Sequence, residues 1–189
     1  MSAIISTEVF QFDELSDAAK EKARDWWREA SAGDNYFSEP TIDEVKGDIG
    51  KALGFDISEV YWSGFSSQGD GACFVGTWRA ADVNARALQQ YAPQDKKLAQ
   101  IRKAMRAFAR AHRNNTANIA HRDRYCHAYS TDIEADQDTE TFAEIARDFM
   151  NWIYRSLEKA YEYENSNEQI DDCMSANEYT FTESGKRFG

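Results

Sequence analysis

Apolar positions along this 189-residue chain recur with two periods, and the two alternate in blocks. Between residues 3 and 12, Ile5, Thr7 and Val9 alternate with Ile4, Ser6, Glu8, Phe10 and Phe12, which predicts a strand. Ser16 then opens a helix to Ala30: Ala19, Ala23, Trp26 and Trp27 return at helical spacing, and Gly33 ends it. Thr41 and Glu44, just after Pro40, read as a capping box. The helix they start carries Ile42, Val45, Ile49 and Leu53 on one stripe and stops at Gly54. Two strands follow, over 57–65 and 72–78. The polar, glycine-bearing stretch Ser66-Ser67-Gln68-Gly69-Asp70-Gly71 joins them as a hairpin.

The second half repeats the alternation. A short helix is expected over 80–91. An amphipathic helix is expected over 95–113, with Leu98, Ile101, Met105, Phe108 and His112 on one face. Residues 117–133 alternate as one long strand, with Ile119, His121, Asp123, Tyr125, His127, Tyr129, Thr131 and Ile133 on one side. A long helix fits 139–163, and Ser166 with Gln169 caps a short one to Ala176. Residues 178–182 read as a last strand, with Gly185 in a turn. The layout is an α+β fold in a single domain over 1–189: an antiparallel sheet of four or five strands packed with several helices. With 42% hydrophobic and 13% aromatic residues, the chain can fill a core of that kind.

Charge adds a feature that the periods do not show. From Lys96 to Arg124 there are nine basic residues and one acid, a net +8, whereas the whole chain carries −11 and the remainder therefore −19. On the 95–113 helix, Arg102, Lys103, Arg106, Arg110 and Arg113 share a face beside the apolar one. Such a face either pairs with acids of its own chain or meets an anionic partner. Glu140, Glu144 and Asp148 form an i, i+4, i+8 stripe that is a natural internal counterpart. The alternatives are a protein partner, or phosphates of a nucleotide or a nucleic acid. Aromatics for base stacking are missing from this face, which disfavours nucleic acid. A membrane surface is excluded as a partner, since the surrounding −19 is repelled by anionic lipid. Fifteen acids against three bases over 132–183 are read as solvated helix faces, with mimicry of a phosphate backbone as the alternative.

The candidate chemistry is sparse. In the hairpin, Ser66, Ser67, Gln68 and Asp70 offer donors and acceptors beside permissive glycines, so they are binding candidates together with the basic helix. Gly64-x-Ser66-x-x-Gly69 is one residue too long for a nucleophile elbow, and no Gly-Lys-Ser/Thr follows to make a phosphate loop. On one extended strand His121 and His127 would stand ~20 Å apart, too far to share a metal. His121 and Asp123 would be ~6.6 Å apart but lack a third catalytic group. Cys73, Cys126 and Cys173 have no CxxC spacing, so reduced thiols are expected. No catalytic residues, metal site or cofactor are expected. The N-terminal stretch does not read as a signal peptide, and no run of ~20 apolar residues suits a membrane span. Of Trp26 and Trp27, one is expected in the core and one partly exposed.

Three stretches together carry a family resemblance: Phe12-Asp-Glu-Leu-Ser-Asp-Ala-Ala-Lys-Glu-Lys-Ala-Arg-Asp-Trp26, Tyr61-Trp-Ser-Gly-Phe-Ser-Ser-Gln-Gly-Asp-Gly-Ala-Cys-Phe74 and Ala176-Asn-Glu-Tyr-Thr-Phe-Thr-Glu-Ser-Gly-Lys-Arg-Phe188. The chain resembles small acidic uncharacterised accessory proteins of tailed bacteriophages and prophages. The resemblance implies a bacterial cytoplasm during infection, and non-enzymatic binding and inhibition of a host protein, for example an antiviral-defence component. The alternative is a sponge for an anionic nucleotide, or a nucleic-acid binder, using Arg102, Lys103, Arg106, Arg110 and Arg113 with the Ser66–Asp70 loop.

Overall fold

The computed structural model describes residues 6–91, 93–122 and 124–189. Along the chain come β1 (Phe10–Gln11), α1 (Asp17–Ala30), α2 (Ser38–Glu44), α3 (Gly50–Ala52), β2 (Phe55–Trp62), β3 (Ala72–Arg79), α4 (Ala85–Tyr91), α5 (Lys96–Ala111), β4 (Thr116–His121), β5 (Thr131–Ala135), α6 (Thr139–Glu164), α7 (Asn167–Ala176), β6 (Thr180–Phe181) and β7 (Arg187–Phe188). The fold is α+β, with a four-stranded antiparallel sheet in the order β2-β3-β4-β5 and a small three-stranded sheet in the order β1-β6-β7. Two compact units hold these sheets. One spans 38–159; the other combines the described residues before 38 with 160–189.

In the 38–159 unit, β2 and β3 pair from Phe55↔Trp78 to Trp62↔Ala72, with a bulge between Ile57 and Glu59. Helices supply the rest of its core. Trp78 is fully buried between Phe108 of α5 and Phe142 of α6, at centroid distances of 5.7 and 4.8 Å. Its indole N–H donates to the Leu53 carbonyl at 2.8 Å, which removes the cost of burying that donor. Gly54 follows Leu53 at φ +88°, and a Cβ there would lie 2.8 Å from the Arg79 carbonyl oxygen and 2.9 Å from the Trp78 indole nitrogen. Only glycine suits both the backbone angle and the approach.

Two expected elements change here. The helix ahead of β2 begins at Ser38, not after Pro40, and passes through a π-helical turn (Val45–Ile49) into α3. Proline within a first helical turn gives up no bond, because those N–H groups have no intrahelical acceptor, so Pro40 is no start signal. Thr41 and Glu44 therefore lie inside the helix and form no capping box. The long strand over 117–133 is two strands, β4 and β5, paired from Ala117↔Ala135 to His121↔Thr131. Its middle is a loop closed by local bonds: Arg122 N–H to Ser130 O, Ser130 N–H to His127 O and the Thr131 hydroxyl to Ala128 O. His121, Tyr125 and His127 thus share no strand face. His121 stacks on Tyr61 at 4.6 Å, and Asp123 lies outside the described residues.

In the other unit, Phe12, Leu15, Ala19, Ala23, Ile170, Met174 and Phe181 form a separate core. Trp26 and Trp27 are both half-buried against it, each 5.9 Å from the Tyr179 ring. Arg24 holds Asp171 through two bonds of 2.6 and 2.7 Å, and that carboxylate raises the guanidinium pKa further. The strand expected over 3–12 is reduced to Phe10–Gln11, since its partner β6 is only two residues long; residues 3–5 lie outside the described residues. The last strand is likewise Thr180–Phe181, and the chain returns from it as β7.

Replacing Trp78 by Ala is expected to destabilise the protein by about 3–5 kcal/mol, because two helices lose their common seat and the Leu53 carbonyl loses its donor. Urea denaturation followed by circular dichroism checks this; a loss near zero would mean that the helices do not rest on this ring.

Candidate functional site

The helix α5 forms where the periodicity places it, because its start is doubly fixed. One oxygen of Asp95 accepts from the Leu98 N–H at 2.8 Å and caps the helix; the other accepts from the Trp152 indole N–H, also at 2.8 Å. Leu98, Ile101, Met105 and Phe108 are buried on the sheet side. This leaves two flanks, one towards α4 and one towards α6.

The flank towards α4 is basic. Arg86 from α4, Arg106 and Arg110 from α5, and Arg113 just beyond it line one solvent-open cleft of 640 Å³, with Asn84 and Gln89. Val83, Ala85 and Ala109 give it an apolar floor, and no carboxylate of the described residues lines it. All four arginines are exposed and make no ion pair within 4.0 Å among the described residues. Arg102 differs. It is half-buried and donates to the Ala85 carbonyl at 3.3 Å and the Gln89 side chain at 3.0 Å, tying α4 to α5. Lys103 lies outside the cleft, on a hollow of 340 Å³ with Ala99, Gln100, Arg102 and Arg106.

Of the alternatives for the basic face, internal pairing of Arg106 and Arg110 with Glu144 and Asp148 does not occur. Those arginines point to the α4 side of the helix and the acids lie on α6, across the other flank. Among the described residues Lys97 is the one base of α5 that forms an ion pair with α6, with its Nζ 2.8 Å from Asp148 Oδ2. On that flank a groove of 1010 Å³ runs between α5 and α6. Ala104, Ala107 and Ala111 form one bank; Glu140, Glu144 and Asp148 form the other. At one end stands Tyr129, 65% exposed, with the Arg147 guanidinium 4.9 Å from its ring centroid. The Nε of Arg147 is buried and has no hydrogen-bond partner among the described residues.

The hairpin candidates lie elsewhere. One Asp70 oxygen accepts from the Ser66 and Ser67 N–H groups at 3.0 and 2.6 Å, so that carboxylate closes its own loop. Phe65 and Gly64 seat the loop on Tyr154, whose phenol pKa is raised by burial and by the carboxylates of Glu158 and Asp70. Gln68 is exposed. None of Ser66, Ser67, Gln68 and Asp70 lines the arginine cleft. The loop enters β3 at Ala72 and the cleft begins past Arg79, about 23 Å away along an extended strand. The two groups of candidates therefore form no common site.

A family model for a domain of unknown function, DUF8835, matches residues 37–167. The chain belongs to that family. No curated protein and no solved structure matches it. The DUF8835 span encloses the 38–159 unit and with it both flanks of α5. No helix among the described residues is long and apolar enough to cross a membrane.

Within the DUF8835 segment, sequence reasoning found the α5 arginines but missed Arg86, Asn84 and Gln89. A helix was expected over 80–91, but no periodicity says that it lies along α5. Tyr129 was hidden by the reading of 117–133 as one strand, and Arg147, on the expected long helix, meets it only through the β4–β5 loop.

Replacing Asp95 by Ala removes a cap and leaves the Trp152 indole unpaired, so a loss of about 1–2 kcal/mol is expected. Asp95→Asn keeps an acceptor for the cap and recovers much of it. Equal stability of Asp95→Ala and wild type in urea would show that α5 is positioned by its apolar face alone.

Proposed function

We propose that this protein is a non-enzymatic phage accessory protein that binds and inhibits a host protein through the groove between α5 and α6. The observation that carries this reading is the groove itself: 1010 Å³, with alanines on one bank and carboxylates on the other. Its shape and charge fit an amphipathic helix with small or apolar residues at i, i+3 or i+4, and i+7 towards α5, and lysines or arginines towards α6. Tyr129 and Arg147 at its end are of the residue types that anchor interfaces. The resemblance to phage accessory proteins supplies the context of a host cytoplasm.

The test is a pull-down from bacterial lysate with tagged protein, washed at low and high salt. One host protein in near-equimolar yield is expected to survive high salt. Tyr129→Ala is expected to weaken its retention by about tenfold or more, as hot-spot truncation does. Ala107→Trp, which fills the groove from the solvent side, is expected to abolish it. Recovery of no protein, or equal recovery by both variants, would overturn the reading.

A further inference from the structure

The basic flank of α5 faces away from that groove and calls for its own occupant. We propose that the cleft between α4 and α5 binds an oligophosphate group, as carried by nucleoside triphosphates or by short inorganic polyphosphate. Arg86, Arg106, Arg110 and Arg113 meet there in one concave volume of 640 Å³, within the size range of small-ligand sites.

Structural roles account for only part of that charge. Arg110 lies in the last turn of α5 and Arg113 just past it, where the helix dipole favours cations. Arg86 lies in the first turn of α4, where the dipole disfavours them. No ion pair within 4.0 Å joins any of the four arginines to a described carboxylate. Four like charges around one hollow repel one another, and a bound anion removes that cost.

The shape and the donor type select the ligand. An acidic protein surface is flat or convex and brings single charges on separate side chains, whereas a phosphate chain concentrates charge and enters a cleft. A phosphate monoester brings about −1.5 to −2, so two or more phosphate groups are needed to balance four arginines. Guanidinium forks match phosphate oxygens in pairs, which adds direction to the attraction. The walls are also set before binding: Arg102 ties α4 to α5, Leu88 and Ala85 are buried, and the Asn84 N–H donates to the Ala52 carbonyl at 2.9 Å. A preformed site loses less ordering entropy on binding. Among the described residues no aromatic side chain lines the cleft, so none of them stacks a base there. The phosphate chain is the group recognised, and the nucleoside attached to it matters little.

Isothermal titration of the full chain with ATP, GTP, tripolyphosphate, orthophosphate and an aspartate-rich decapeptide tests this. ATP, GTP and tripolyphosphate are expected to bind within about threefold of one another, and orthophosphate and the peptide about tenfold or more weaker, since fewer charge-assisted bonds form. Arg86→Gln and Arg110→Gln are each expected to weaken tripolyphosphate binding by about tenfold, the worth of one such bond, while Lys103→Gln leaves it unchanged. Strong preference for ATP and GTP over tripolyphosphate would show that the nucleoside is recognised too and would overturn the assignment to the phosphate chain. Tighter binding of the peptide than of tripolyphosphate, unchanged affinity in Arg86→Gln, or no heat at millimolar ligand would overturn the proposal. The groove between α5 and α6 enters none of these measurements, so they stand apart from the search for a host protein.

Discussion

One indole ring sets the geometry of the 38–159 unit. Trp78 is at the end of β3, its N–H donates to the carbonyl of Leu53, and the glycine after that residue has no Cβ to push the ring away. Phe108 from α5 and Phe142 from α6 both rest on this ring, so their two helices take their positions from a common point. Phe108 and Phe142 also touch each other at 5.6 Å, which closes the triangle. With α5 seated, its rotation is fixed by Leu98, Ile101 and Met105, and the side chains left over divide between its two flanks. The arginine cleft on one side and the alanine–carboxylate groove on the other follow from that seating.

The surface chemistry is segregated in space as well as along the chain. Basic residues gather on the α4 side of α5, and acidic ones line the bank of α6 across the groove. Lys97 and Asp148 form the one ion pair that joins the two helices among the described residues. Exposed pairs of that kind contribute only about 0.2–1 kcal/mol each, so a fold that leaves the rest unmade loses little. Trp78, the Asp95 cap and the buried face of α5 suffice to hold the helix in place. Its arginines are then available to something outside the chain.

Helices α1, α5, α6 and α7 and the β2–β3 hairpin were legible in the sequence because each has an unbroken apolar period and a capping or turn residue at its boundary. The segment 117–133 was misread because its alternation of polar and aromatic residues continues through the loop, with no glycine or proline to mark the turn. What decides the turn is remote: a Cβ on Gly71 would stand 2.6 Å from the Cβ of His127, so a residue in the other hairpin makes room for the loop. The start of α2 was misplaced because proline suits any position in a first turn. The candidate site was half legible. Arg106, Arg110 and Arg113 were visible as a helical face, but Arg86 joins them only through the packing of α4, held by Arg102 on Gln89 and the Ala85 carbonyl. The hairpin residues Ser66, Ser67, Gln68 and Asp70 fit a binding loop by composition, yet the Asp70 carboxylate is occupied by the Ser66 and Ser67 amides of its own turn.

The central claim is that the basic flank of α5 plays no part in holding the fold. The direct measurement is urea unfolding of the triple variant Arg86→Gln, Arg106→Gln, Arg110→Gln beside wild type, at low and at high salt. The account predicts a variant as stable as wild type or more so, with the difference shrinking as salt screens the repulsion among the wild-type arginines. A loss of about 2 kcal/mol or more, beyond what surface substitutions ordinarily cause, would contradict it and make these arginines part of the structure.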